Sequence, residues 1–272
     1  MSGPLWRRAG AAALLFAALC TGSGQALAGR SCETVVPAAR NVQRGLELAV
    51  TTARALDASG AQVVALGRAG QDLSKYGLRW SHFGWAYKAP ASDDPQRLVW
   101  RVVHKLNQCG SATAQVYRQG LAEFFLDDPF EYRATFAVPT PDLQARLLPL
   151  LQDNQRVASL HTEAYNMLAY PWAQLYQQSN QWALETLALA MDDSSNTRER
   201  AQAWLRWKGY EPTQLRITAF TRLGARMMAA NIAFDDHPNS QRFADRIDTV
   251  TVDSVLVWLQ RAGLAAAPQE IR

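Results

Sequence analysis

Cysteine and histidine are both scarce in this chain, with 3 and 4 residues respectively. Beyond the N-terminal leader, no apolar run approaches the roughly 18 residues of a membrane-crossing helix. The few histidines carry no ligand-spacing motif such as His-Glu-x-x-His, so no metal and no cofactor is expected. An excess of one charge is missing as well: of 28 basic side chains two lie in the leader, which leaves 26 against 24 acidic ones. A net charge this small gives no electrostatic case for nucleic acid or for a strongly anionic membrane. There is no internal repeat and no low-complexity segment.

What is present begins with Arg7-Arg8, an apolar run from Ala9 to Cys20 and Ala26-Leu27-Ala28, the three parts of a secretory signal peptide. Cleavage after Ala28 is expected, leaving residues 29–272 as a single periplasmic or secreted domain. In that compartment Cys32 and Cys109 are expected to pair, and closing the loop contributes on the order of 4 kcal/mol. Two buried thiols, or a reactive Cys109 near His104, are the alternatives.

After Pro37, apolar side chains at Val42, Leu46, Ala49, Ala53 and Leu56 predict an amphipathic helix closed by Ser59-Gly60. Strands are predicted over 61–66, 79–87, 98–104, 114–117 and 132–138, with a short helix over 120–125. The remainder reads as helices over 141–160, kinked or divided at Pro149, and over 179–191, 198–208, 212–230 and 253–262, with a short strand over 250–252. The fold class is α+β, an antiparallel sheet of about five strands flanked by helices, with a helical C-terminal third.

The stretch Arg79-Trp80-Ser81-His82-Phe83-Gly84-Trp85-Ala86-Tyr87 carries the most distinctive pattern. Period-two alternation puts Trp80, His82, Gly84 and Ala86 on one face, where Gly84 leaves room for close approach of another backbone. A hairpin symmetric about Asp93 sets His82 opposite His104, while a slip of one residue turns His104 to the other face. Farther on, Tyr176-Gln177-Gln178-Ser179-Asn180-Gln181-Trp182 enters a helix. A hydroxyl there lies at the positive end of the helix dipole, although a serine is also a good N-cap.

Ser81-His82-Phe83-Gly84, the strand ending in His104, Leu106-Asn107-Gln108-Cys109-Gly110, Asn166 with Ala169-Tyr170-Pro171, Ser179-Asn180-Gln181-Trp182 and Asp235-Asp236-His237-Pro238 together resemble the bacterial family called domain of unknown function (DUF) 2145. The resemblance spans essentially the whole mature chain. More distantly, the order of a His-Gly strand, a polar residue on the neighbouring strand and a nucleophile at a helix start is similar to circularly permuted NlpC-type papain-like hydrolases. That resemblance implies a papain-like fold with His82 as base, His104 as orienting group and Ser179 in the nucleophile position. It further implies an amide or ester hydrolase or acyltransferase acting on a peptide, on peptidoglycan or on an acyl-lipid. Trp80, Gly84, Asn180, Gln181 and Trp182 would then line the substrate groove. The sequence departs from that superfamily in having serine where a cysteine is expected, and serine is a far poorer nucleophile than a thiolate. The alternative is a catalytically inactive periplasmic binding or assembly protein that retains the fold. Asp235-Asp236-His237 either forms a polar turn ahead of Pro238 or, with both strand histidines, a zinc site.

Overall fold

Alternating apolar residues between positions 63 and 137 build most of one sheet, and a computed structural model gives its topology. Residues 36–127 and 129–272 are described. The leader and Cys32 lie outside them, so the expected Cys32–Cys109 bridge does too.

Strands β1 (Val63–Arg68), β2 (His82–Pro90), β3 (Leu98–Asn107), β4 (Ala114–Gly120), β5 (Ala134–Ala137) and β8 (Gln269–Ile271) form a six-stranded sheet of order β4-β3-β2-β1-β5-β8. All five pairings are antiparallel. The architecture is α+β, as the sequence predicts. The β2–β3 hairpin pairs Pro90 with Leu98, so it is centred on Asp94 rather than Asp93. That shift of two residues sets Gly84 opposite His104 and preserves the faces, because side chains alternate with period two.

One face of the sheet is covered by α1 (Ala39–Ala58) and α2 (Leu121–Phe125), which enclose Val64, Leu66, Ala86, Val102 and Phe124. On the other face lie α3 (Pro141–Gln152), α5 (Ser179–Met191), α6 (Arg198–Trp207) and α9 (Val252–Arg261), around Phe83, Trp85, Val103, Trp182 and Trp258. Helix α1 is rotated from the expected register. It buries Gly45, Leu48, Ala49, Thr52 and Leu56 and leaves Leu46 exposed. Gly45 causes the rotation: a Cβ there would stand 3.0 Å from the Phe125 carbonyl oxygen, so glycine permits the α1–α2 approach.

Three expectations are corrected. The 141–160 helix is divided not at Pro149, which α3 carries, but at Asp153, whose carboxylate accepts from Gln155 and Arg156 N–H groups and so starts α4 (Asn154–Ala158). The 212–230 helix is instead β6 (Thr213–Arg216) followed by α7 (Ala219–Met228). Strand β6 pairs with β7 (Arg246–Thr249), which replaces the strand expected over 250–252, and short α8 (Asn239–Arg242) lies between them.

Candidate functional site

Two polar clusters sit back to back across the sheet, and strand alternation assigns each residue to its side. On the α2 face, His82 Nε2 lies 2.8 Å from His104 Nδ1, and His104 Nε2 lies 2.8 Å from Gln119 Oε1. Burial, with the Arg68 guanidinium nearby, pulls the His104 pKa down to about 4, so the ring is neutral at neutral pH. With Gln119 oriented to accept, His104 Nε2–H donates to it and His104 Nδ1 accepts from His82 Nε2–H. The His82 Nε2–H is thereby directed at His104. Arg68, the register partner of His82, donates to the Phe124 carbonyl, pairs with Asp127 at 2.6 Å and lies 4.8 Å over the Phe124 ring. The Phe124 ring packs 5.8 Å from His82 and 5.2 Å from His104.

Lys105, one residue on from His104, points the opposite way. Its Nζ donates to Thr162 O at 2.6 Å, Gln177 O at 3.0 Å and Gln177 Oε1 at 2.9 Å. Desolvation, with Arg198 close by, lowers its pKa to about 7 against the pull of Glu185. Glu185 is fully buried and accepts from Arg198 at 2.9 Å, Gln177 at 2.5 Å and Gln202 at 2.7 Å. Arg198 also donates to the carbonyls of Ala173, Gln174 and Tyr176, which fastens the segment ahead of α5.

Ser179 belongs to this second cluster. It is 5% exposed, and its hydroxyl donates to Tyr165 Oη at 3.4 Å, a long contact. Helix α5 packs on the Trp85 side of β2, where Trp85 Nε1 donates to Ala183 O at 2.9 Å. The sheet brings His82 and His104 together and leaves Ser179 on its other side. Nor is Ser179 the N-cap, a position held by Gln178, whose N–H donates to Gln181 Oε1 at 3.3 Å.

The expected groove residues are interior. Trp182 is fully buried and donates to Val157 O, Asn180 to Val250 O and Gln181 to Pro171 O. Gly84 lies within the sheet against Val102 and His104. Trp80, expected on the His82 face, joins the cluster on the α5 side because the strand begins only at His82. His237 contacts Asp236 Oδ1 and Asp248 O, each at 2.9 Å, while Asp236 also accepts from the Tyr170 N–H. Among the described residues no three His, Cys, Asp or Glu side chains are grouped as metal ligands.

Sequence reasoning passed over Arg68, Gln119, Lys105 and Glu185. For Lys105 the available signal was its place between Val103 and Leu106 in a predominantly apolar strand, since a buried charge requires partners.

A family model described as "Uncharacterized protein conserved in bacteria (DUF2145)" matches residues 55–259. No curated protein and no solved structure matches.

Proposed function

The chain belongs to the DUF2145 family, and we propose that it is an exported binding or assembly protein in which Ser179 does no chemistry. The observation that carries this reading is the separation of Ser179 from His82 by the sheet. A base must come within hydrogen-bond reach of its nucleophile, about 3 Å or one intervening water. The Ser179 hydroxyl has Tyr165 for a partner instead, and the side chain is 5% exposed. The secretory leader, the periplasmic or secreted location, the single domain over 29–272 and the Cys32–Cys109 bridge belong to the same proposal.

A second reading keeps the papain-like hydrolase or acyltransferase, with peptide, peptidoglycan or an acyl-lipid as substrate. It is favoured by the chain from His82 through His104 to Gln119, a way of orienting a base. It requires a nucleophile on the His82 side of the sheet.

Reaction of the purified protein with a fluorophosphonate probe separates the two. Under the binding reading no adduct forms, and Ser179→Ala and His82→Ala leave the folded protein's cellular role intact. An adduct on Ser179 that both substitutions abolish overturns that reading, and an adduct on another serine lost only in His82→Ala establishes the second.

A further inference from the structure

We propose that α7 is an interfacial helix that docks this protein on an anionic lipid bilayer. Phe220, Leu223 and Met227 follow one another at spacings of three and four residues, which aligns them along one face of the helix. That face is turned outward: the three side chains are 87%, 59% and 80% exposed. Phe243, 73% exposed, stands two residues before Asp245, which is tied to α7 through Arg222. One charged residue of the helix, Arg222, faces inward, while Arg226 stays exposed. Arg222 is 8% exposed and donates to the Ile217 carbonyl and, at 2.9 Å, to Asp245. An apolar face left in solvent departs from the usual arrangement of a surface helix, and exposed apolar patches of this kind mark interaction sites.

The rim is basic. Arg216, Arg226 and Arg246 are exposed, Arg242 stacks over the Phe243 ring at 5.0 Å, and the acids nearby include Asp235, the His237-bonded Asp236 and the Arg222-paired Asp245. Aromatic and aliphatic side chains flanked by arginines suit insertion at the level of anionic headgroups. A symmetric pair of copies joined through α7 would set like charges against one another, which disfavours a dimer as occupant. The helix is also held ready. Thr218 accepts from the Thr221 N–H at its start, and the Ile217 N–H donates to Asp245 O at 3.0 Å.

The test is hydrogen exchange of the full chain with and without vesicles, together with vesicle flotation. Phosphatidylglycerol-containing vesicles are expected to slow exchange over residues 219–228 at least tenfold and to carry the protein upward, more weakly at high salt. Phosphatidylcholine vesicles are expected to do neither. F220E/M227E, whose sites are too exposed to disturb folding, is expected to lose both effects, and R216E/R226E to weaken flotation severalfold. Unchanged exchange over 219–228, even if another segment binds the vesicles, overturns the proposal. So does protection of 219–228 that appears without vesicles and rises with protein concentration, which assigns the face to a second copy.

Discussion

At the residue scale, Gly84 is what allows the histidine pair to form. A Cβ there would stand 2.7 Å from Val102 Cγ1 and 3.1 Å from both His104 Cβ and the Val103 carbonyl oxygen, and two of these neighbours belong to a backbone or its first side-chain atom. Gly84→Ala is therefore expected to destabilise the protein by about 1–3 kcal/mol in urea unfolding, and to shift the His82 and His104 ring resonances. Ser179→Ala, by contrast, removes one contact of 3.4 Å and is expected to cost about 1 kcal/mol or less. The glycine was legible in the sequence because a small residue beside a histidine in a strand implies close approach. Arg68 was not, since its meaning comes from Phe124 and Asp127, more than 50 positions away in the chain. The separation of Ser179 from His82 was equally hidden. Alternation assigns His82 to a face of β2, yet nothing local says on which face a helix some hundred residues later will pack.

At the element scale, α5 was read with its observed bounds, Ser179–Met191, because a polar entry, an apolar body and an Asp-rich exit mark a helix without tertiary help. Its environment was not readable. It is buried on nearly every side, so it has no polar stripe to announce its orientation. Glu185 joins it to α6 and to the segment before it, through Arg198, Gln177 and Gln202. Glu185→Ala leaves the Arg198 guanidinium buried without its carboxylate and is expected to cost about 3–5 kcal/mol. Exchange-mass spectrometry should then find residues 160–178 opening first, since Arg198 holds three of their carbonyls. Equal exchange there and in the core strands would contradict this role. The misread element is β6 with α7. Its Leu, Arg and Ala content is helical, but Thr213–Arg216 is drawn into pairing with Arg246–Thr249, and long-range pairing overrides local propensity.

For the whole molecule, a small net charge conceals both an arginine-rimmed apolar face and several ionisable groups held away from water. Their pKa shifts act in concert on stability. His104 titrates at about 4 when folded and near 6.5 when unfolded, so between those values the unfolded chain binds a proton that the native state refuses. Stability therefore falls as pH drops from 6.5 towards 4. At about 1.4 kcal/mol per pKa unit, His104 alone is worth about 3 kcal/mol across that window. His161, lowered to about 4 by burial and the nearby Lys105, adds in the same direction with a smaller weight because it is partly exposed. Lys105 extends the trend upward: its folded value of about 7 lies below the ordinary lysine value of 10.5, so stability continues to rise through that interval as the unfolded chain holds the extra proton. Above about pH 10 the buried Tyr165 and Tyr210, which keep their protons when folded, reverse the slope. Urea midpoints are thus expected to climb from pH 4 to pH 9. In His104→Gln the segment below pH 6.5 should lose most of its slope while that above pH 7 is unchanged, and Lys105→Met should flatten only the upper segment. A wild-type profile level between pH 4.5 and 6.5 would mean that His104 is protonated in the native state. Over that range the ring could then no longer accept from His82 Nε2–H, and the oriented arrangement on which the second functional reading depends would be confined to pH above 6.5.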